Sequence, residues 1–205
     1  MKPELVLVGG GGHCASCIDV IEREGQFVIA GIVDRPEKIG RTVLGYPMIG
    51  DDGNFQALTR KYRYFFITLG QIKNSQRRAQ LFAELKKIGV RLPVIISPLA
   101  YVSPHAQIGE GTIVMHRALV NANASIGSNC IINSLALVEH DAVIDSHCHI
   151  STGAIVNGGT RVKEHTFVGS QAMLREGIEI GAYSIIGAGM CILRDVAPAS
   201  IIKKP

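Results

Sequence analysis

Three histidines and several acids crowd into one short stretch, LVEHDAVIDSHCHIS, at residues 137–151. Within it Glu139 and Asp141 flank His140, and His149 follows nine residues later. A neutral imidazole accepts a proton near pH 7, and a neighbouring carboxylate can fix its tautomer and stabilise the imidazolium. We therefore predict that His140 is a general base, with Asp141 favoured over Glu139 as its orienting acid. Because neighbours in a strand point apart, the choice between the two acids depends on the local turn.

The elements that must hold these side chains follow from a six-residue repeat. Every sixth residue from Val102 to Ile192 is Val, Ile or Leu, and the residue four steps later is mostly small. Neither an α-helix nor a hairpin meander has this period, whereas a solenoid of short strands and turns does. Residues 98–205 are therefore predicted to form a parallel β-helix of about five three-sided coils, stacked at roughly 4.8 Å.

The same period places several other side chains. His147 precedes His165 by one predicted coil, so their rings should stack, and Tyr183 takes the same position in the next coil. We expect His147 and His165 to be exposed on the coil surface. Cys130 and Cys148 occupy the small corner position of the repeat and are predicted to belong to the core.

Residues 1–97 instead alternate strands with helices, which predicts a small Rossmann-like parallel sheet with helices on its faces. The predicted strands are ELVLVG, FVIAGIVD, YFFITLG and LPVIIS. The predicted helices cover residues 14–24 and the segment SQRRAQLFAELKKIG, which Ser75 is expected to cap. The fold class is therefore α/β followed by all-β.

Composition argues against several functional classes. The net charge is only +4, and the Lys and Arg residues are scattered, so nucleic-acid binding is not expected. No stretch reaches the ~18 apolar residues of a membrane span, and the start MKPELVLVGGGGH lacks the features of a signal peptide. Five cysteines without a disulfide framework favour the cytoplasm.

The hexapeptide register, the GGGGH loop and the EH-acid motif at residues 139–141 together resemble left-handed parallel β-helix acyltransferases. The subgroup comprises sialic-acid O-acetyltransferase-like proteins and bacterial nucleotide-sugar N-acetyltransferases, and the resemblance covers essentially the whole chain. It implies an acetyl-CoA-dependent homotrimer with active sites between subunits. One departure is the ending DVAPASIIKKP, which reaches Pro205 without the family's usual Gly-x-Pro-Ala segment.

The resemblance also implies cofactor contacts. His149 matches the family's second active-site histidine, which lies toward the thioester or the pantetheine arm. Gly158 matches a residue whose backbone N–H can approach the acetyl carbonyl and stabilise the oxyanion, although a coil corner could equally require this glycine. The other matches to the cofactor groove are Ser170, Gly187 and Ala188.

The run GGGGH at residues 9–13 joins the first strand to the first helix, where backbone N–H groups can face a phosphate. An NAD site is the weaker interpretation, because Cys14 replaces the third glycine of a GxGxxG fingerprint. We expect a nucleotide-sugar diphosphate here, with Asp34 and Arg35 near the base or ribose. The expected substrate-binding residues, several of them implied by the resemblance, are Gly10, Gly11, Gly12, His13, Asp34, Arg35, Gly70, Asn74 and Arg78.

The expected function is N-acetylation of a UDP- or GDP-linked 4-amino sugar, by direct attack of the amine on the thioester, in polysaccharide or glycan synthesis. O-acetylation of a sugar hydroxyl, as in sialic acid, and a non-catalytic nucleotide-sugar-binding trimer remain open. The sequence HCH could also chelate a metal. The ligand spacing of coil-type carbonic anhydrases is not matched, however, and we expect no metal.

Overall fold

A computed structural model describes residues 1–203, and its N-terminal part is built around a five-stranded sheet. The strands are β1 (Glu4–Val8), β2 (Val28–Val33), β3 (Thr42–Val43), β4 (Tyr46–Gly50) and β5 (Tyr64–Ile67). They lie in the order β3-β4-β2-β1-β5, and every pair except β3–β4 is parallel. The first three predicted strands are thus confirmed as β1, β2 and β5. The hairpin β3–β4 was not predicted from the sequence, because β3 has only two residues and β4 contains a proline, which is uncommon within strands.

The helices of this part are α1 (Gly12–Glu24), α2 (Phe55–Leu58) and α3 (Gln76–Ile88), with 3₁₀ turns at Pro36–Lys38 and Asp52–Asn54. α1 and α3 end as predicted at glycines in the left-handed conformation, Gly25 and Gly89. Ser75 is the N-cap residue of α3, as predicted, but its side chain makes no capping hydrogen bond. Its hydroxyl lies 2.7 Å from His165 Nδ1, so the contact with the coil replaces the cap.

The β-helix has three sides, each a parallel sheet of two-residue strands. The first side comprises β7 (Tyr101–Val102), β10 (Leu119–Val120), β13 (Leu137–Val138), β16 (Ile155–Val156), β19 (Met173–Leu174) and β22 (Cys191–Ile192). The second comprises β8 (Gln107–Ile108), β11 (Ser125–Ile126), β14 (Val143–Ile144), β17 (Arg161–Val162) and β20 (Glu179–Ile180). The third comprises β6 (Ile95–Ile96), β9 (Ile113–Val114), β12 (Ile131–Ile132), β15 (His149–Ile150), β18 (Phe167–Val168), β21 (Ile185–Ile186) and β23 (Ile201–Ile202).

Strand pairing confirms the 18-residue coil, because Leu119 pairs with Leu137 and Leu137 pairs with Ile155. The second residue of nearly every strand points inward and forms one continuous core with the small corner residues, which include the fully buried Cys130 and Cys148. The predicted β-helix runs to Pro205, and residues 204 and 205 lie outside the described part of the chain. Within residues 1–203, no helix has the length and hydropathy needed to cross a bilayer.

The predicted strand LPVIIS does not belong to the N-terminal sheet, which corrects the sequence analysis. Its residues Ile95–Ile96 form β6, which pairs with β9 on the third side of the coil. A short apolar run cannot by itself reveal which sheet it joins. Its place on the coil brings the third side against α1, where Ile95 and Ile113 share a core with Ile18 and Ile21.

Candidate active site

His140 projects from a corner of the β-helix, in the turn between β13 on the first side and β14 on the second. Its side chain is 63% exposed, so the imidazole is open to a ligand or to a neighbouring molecule. Nδ1 lies 2.8 Å from Oδ2 of Asp141. This hydrogen bond raises the pKa of His140 above its ordinary value, and the nearby charge of Glu139 adds a smaller effect in the same direction.

Asp141, and not Glu139, contacts the ring. Asp141 has a φ of 59°, a left-handed conformation that aspartate tolerates. Glu139 instead accepts the backbone N–H of His140 at 3.3 Å and the amide of Asn121 at 2.7 Å. The second oxygen of Asp141 accepts the amide of Asn123 at 2.6 Å. Asp141 is therefore placed to hold the hydrogen on Nδ1 of His140, which leaves Nε2 as the basic nitrogen.

Gly158 lies one coil further along, directly against the ring of His140. A β-carbon at this position would stand 2.8 Å from both Cε1 and Nε2 of the imidazole, closer than such atoms approach. A side chain here would therefore displace the ring. The backbone of Gly158 lies beside the basic nitrogen, and the oxyanion contact of its N–H remains a prediction.

A cavity of about 900 Å³ lies between the N-terminal sheet and the third side of the coil. The carboxyl ends of β1, β2 and β5 meet here, as they do at ligand sites of open parallel sheets. His149 and Ser151 enter it from the coil. Six of the expected substrate-binding residues line it: Gly11, Gly12, His13, Asp34, Arg35 and Gly70.

The N-terminus of α1 opens onto this cavity. Gly11 is its N-cap, no side chain caps the helix, and the first turn has no acidic residue. The first N–H groups and the positive end of the helix dipole can therefore meet an anion. A β-carbon at Gly11 or Gly12 would meet open space, whereas one at Gly10 would strike the side chain of Met48.

Asp34 organises the glycine loop. Oδ2 accepts the N–H of Gly10 at 2.5 Å and the ammonium of Lys38 at 2.8 Å, and Oδ1 accepts the N–H of Arg35 at 2.7 Å. Burial favours a higher pKa for Asp34, but these hydrogen bonds outweigh it and hold the pKa below its ordinary value. Gly10 therefore acts through Asp34, and among the predicted loop residues it does not itself line the cavity.

Two neutral histidines line the same cavity. Nδ1 of His149 lies 2.6 Å from the carbonyl oxygen of Gln71 and must carry the hydrogen, because a carbonyl can only accept. Nε2 is then an acceptor, 3.3 Å from the amide of Asn133. Burial lowers the pKa of His149 to about 4 and that of His13 to about 3, so both rings are uncharged at pH 7. Nε2 of His13 is buried without a hydrogen-bond partner among the described residues.

His140 and His149 lie on opposite parts of one triangular coil. His140 occupies the corner between the first and second sides, whereas His149 lies on the third side, which faces away from that corner. Within a single protomer the β-helix therefore separates the candidate base from the cavity.

The expected cofactor residues are divided in the same way. Gly158 lies beside His140, whereas Ser170, Gly187 and Ala188 lie at the corner between the third and first sides. The hydroxyl of Ser170 is 3.0 Å from that of Ser151, which links this corner to the rim of the cavity.

A second cavity, of about 730 Å³, lies beyond residues 71–72, which line both spaces. His147, His165 and Tyr183 form one wall, with ring centroids 4.8 and 4.6 Å apart in a nearly parallel stack. The stacking was predicted, but His147 and His165 are partly buried under the loop before α3 and are not exposed. Burial lowers the pKa of His147 to about 4. Asn74 lines this cavity instead of the first, which differs from the prediction.

Arg78 also departs from its expected place. It is only 1% exposed, and its guanidinium donates to the carbonyls of Ile67 and Leu69 at 2.7 Å and of Asn129 at 3.3 Å. These bonds join the end of β5 to the coil, so the role of Arg78 is structural. The sequence showed an arginine on a polar helix face and gave no sign that the coil covers it.

A Ser–His–Asp set joins α1 to the coil but is not a hydrolytic triad. His116 lies 2.6 Å from the hydroxyl of Ser97 and 2.6 Å from a carboxylate oxygen of Asp19. Ser97 is only 1% exposed and already accepts the N–H of Leu99 at 3.0 Å, so no substrate can reach it. Within residues 1–203, no cluster of three His, Cys, Asp or Glu side chains could hold a metal ion.

Sequence reasoning missed several residues that line the main cavity. Asn133 and Ser151 each follow an inward residue on the third side, one coil apart, beside His149. The hexapeptide register could have found both. Lys38 and Gln71 come from loops whose position only the packed structure gives.

Comparisons with known proteins agree with this geometry. A family model described as the PglD N-terminal domain matches residues 4–85. Perosamine N-acetyltransferase from Caulobacter crescentus, solved with CoA and GDP-perosamine as a variant with one histidine replaced by asparagine, is 33% identical, with a TM-score of 0.91 over 98% of this chain and 93% of that chain. The acetyltransferase domain of PglB from Neisseria gonorrhoeae, in complex with acetyl coenzyme A, is 31% identical, with a TM-score of 0.85 over 98% and 96%. WeeI from Acinetobacter baumannii, at 22% identity and a TM-score of 0.86, shows the shared fold alone. A comparison with curated proteins gave no match.

Three features define the class of hexapeptide-repeat acyltransferases: a left-handed parallel β-helix, a Rossmann-like sheet that precedes it in the chain, and an exposed His–Asp pair. The chain belongs to this class, in the subgroup of sialic-acid O-acetyltransferase-like and nucleotide-sugar N-acetyltransferase proteins. It is an acetyl-CoA-dependent acetyltransferase.

Proposed function

We propose that this enzyme acetylates the amine of a UDP- or GDP-linked amino sugar. The observation that carries the proposal is the exposed His140, whose Nδ1 is held by Asp141 and whose Nε2 lies against Gly158. The sugar nitrogen attacks the acetyl carbon, Nε2 accepts the proton that the nitrogen loses, and the C–S bond breaks. The proton then passes to the departing CoA thiolate. No covalent intermediate on the enzyme is needed.

The main cavity supports a nucleotide-linked substrate. The uncapped N-terminus of α1 suits a diphosphate, and Arg35 and Lys38 place positive charge beside it. The neutral rings of His13 and His149 add no cationic repulsion against an amine. Perosamine N-acetyltransferase, which is similar to this chain, was solved in complex with CoA and GDP-perosamine. That complex supports a nucleotide-linked substrate for the present enzyme.

We also propose a homotrimer with the active site between subunits. Outward-facing residues of the first side form an apolar column: Tyr101, Leu119, Leu137, Ile155, Met173 and Cys191. Outward-facing residues of the second side are mostly polar: Gln107, Ser125, Val143, Arg161 and Glu179. A continuous apolar column on one face favours association through that face. It would bring the His140 corner of one protomer to the cavity of the next.

We also propose that the enzyme acts in the cytoplasm, in polysaccharide or glycan synthesis. All five cysteines are free thiols, four of them buried, which suits a reducing compartment.

The test is a CoA-release assay with acetyl-CoA and matched UDP-, GDP- and CMP-sugars that carry either an amine or a hydroxyl at the same carbon. We expect turnover with an amino sugar, and a loss of about a hundredfold or more in kcat for His140→Ala. His105→Ala, an exposed histidine at the same corner of the first coil, is the matched control and should retain wild-type kcat. Turnover of hydroxyl sugars alone would favour the O-acetyltransferase alternative. Wild-type kcat in His140→Ala would remove the assigned base.

A further inference from the structure

The two acids beside His140 are each held by an asparagine from the preceding coil. Asn123 donates to Asp141 at 2.6 Å, and Asn121 donates to Glu139 at 2.7 Å. Because each asparagine precedes its acid by one coil, the two hydrogen-bonded pairs lie side by side at the same corner of the β-helix. Only the pair of Asn123 and Asp141 contacts the imidazole, through Asp141.

Asp141 depends on this support because it is exposed. The side chains of His140 and Asp141 are 63% and 54% exposed, and an exposed pair of this kind holds its geometry weakly against water. One oxygen of Asp141 contacts the ring and the other accepts the amide of Asn123, so the carboxylate is fixed at both ends. The hydrogen bond from Asn123 also contributes to the lowered pKa of Asp141, after the larger effect of His140.

We propose that Asn123 is a positioning residue for catalysis. It holds Asp141 in the orientation that keeps the hydrogen on Nδ1 of His140 and leaves Nε2 free to accept the substrate proton. This inference rests on the proposed function of His140. Asn123 itself touches neither ring nor substrate, and it acts only through Asp141.

The conformation of Asn123 decides which substitution tests the proposal. Its φ is 62°, so alanine would add backbone strain to the loss of the amide. Gly159 and Gly177 occupy the same corner in later coils with φ of 67° and 70°, which shows that glycine fits there. Asn123→Gly therefore removes the amide without disturbing the turn. Asn123→Asp keeps the shape but replaces the donor by an acceptor that repels Asp141.

We expect Asn123→Gly to lower kcat about tenfold with little change in the KM for acetyl-CoA, and Asn123→Asp to lower kcat further. The charged groups that face His140 are Asp141 and Glu139. Because contact with Asp141 raises the pKa of His140, loosening that contact should move the acidic limb of the kcat–pH profile to lower pH. Asn121→Ala removes the amide that donates to Glu139 and is the matched control. Its kcat and the acidic limb of its kcat–pH profile should both stay close to wild type.

A double-mutant cycle separates positioning from a general structural effect. If Asn123 acts through Asp141, then Asn123→Gly has no further effect in an Asp141→Asn background. Additive losses would overturn the proposal, as would wild-type kcat and pH profile in Asn123→Gly. Failure of the Asn123 proposal is distinguishable from failure of the proposed function. If only the Asn123 proposal fails, His140→Ala is still inactive. If the proposed function of His140 fails, His140→Ala is active.

Discussion

Arg78 and Asn129 exchange hydrogen bonds across the junction between the N-terminal part and the coil. Nε of Arg78 donates to the carbonyl of Asn129 at 3.3 Å, and the amide of Asn129 donates to the carbonyl of Arg78 at 3.4 Å. Both residues are buried, and Arg78 also holds the carbonyls at the end of β5. The junction that forms the main cavity is therefore fixed by directional bonds as well as by apolar packing.

Replacing Arg78 by methionine should destabilise the protein by about 3 kcal/mol, because several buried carbonyls lose their donor. Urea unfolding followed by far-UV circular dichroism measures this change. Lys87→Met, on the exposed face of the same helix, is the control and should change the free energy of unfolding by less than about 0.5 kcal/mol. Equal stability of Arg78→Met and wild type would contradict the structural role of Arg78.

Gly158→Ala tests the contact between Gly158 and His140. The added β-carbon would stand 2.8 Å from Nε2, and the exposed imidazole can swing away, so the fold should survive while the base is displaced. We expect an unchanged Tm and a fall in kcat of about tenfold to a hundredfold. Gly153→Ala would be a poor control, because Gly153 has a positive φ that strains alanine. Ala154→Gly would also be a poor control, because Ala154 lies in the core. Glu164→Ala, at an exposed position in the turn between the second and third sides, is the suitable control.

The coil and the chemistry of its corner were predictable because the hexapeptide register fixes which residues point inward. Sixteen aliphatic positions share one six-residue period, and the 18-residue coil that this period predicts stacks His147 on His165, as the structure has it. The preference for Asp141 over Glu139 agrees with the structure. The sequence alone could not establish it, because the contact depends on the left-handed conformation of one residue in a four-residue turn.

The junction was not predictable either, because it joins residues that are distant in the sequence. The contact between Arg78 and Asn129 spans 51 residues, and nothing in a polar helix reveals that another element covers one of its arginines. For the same reason Asn74 was assigned to the wrong cavity and His147 was expected to be exposed. Local patterns show which residues a strand or helix turns inward, and they do not show which surfaces later meet.

The pH dependence of kcat follows from the contact between His140 and Asp141. The base must be neutral, and its pKa is raised above the ordinary value, chiefly by the hydrogen bond that Nδ1 donates to Asp141. Activity should therefore rise with pH through that raised pKa. Asp141→Asn removes the main cause and should move the acidic limb to lower pH while lowering kcat, because the tautomer is no longer fixed. Glu139→Gln should move the limb less, and a larger shift in that variant would assign the orienting role to Glu139.

Stability should fall as the pH drops below about 6.5. Burial lowers the pKa of His13 to about 3 and that of His147 and His149 to about 4, so the unfolded chain binds protons more readily than the folded one between the folded and unfolded pKa values. Their contribution is fully present above pH 6.5 and is lost progressively toward pH 4. Tm measured from pH 8 to pH 4.5 should show this slope. His147→Asn should flatten it, whereas His140→Asn, at an exposed position, should not.

Complementation between inactive variants tests the shared active site. His140→Ala removes the base, and Gly12→Asp places a negative charge where a β-carbon has open space, at the phosphate-facing end of α1, so each variant should fold without activity. If the base of one protomer serves the cavity of the next, about a quarter of the sites in randomly mixed trimers are intact, and co-expression restores about a quarter of wild-type activity. His140→Ala and Asp141→Ala alter the same corner, so their co-expression should give no more activity than Asp141→Ala alone. Absence of activity in the first mixture, with mixed trimers demonstrated by two affinity tags, would place the base and the cavity of each site on one chain.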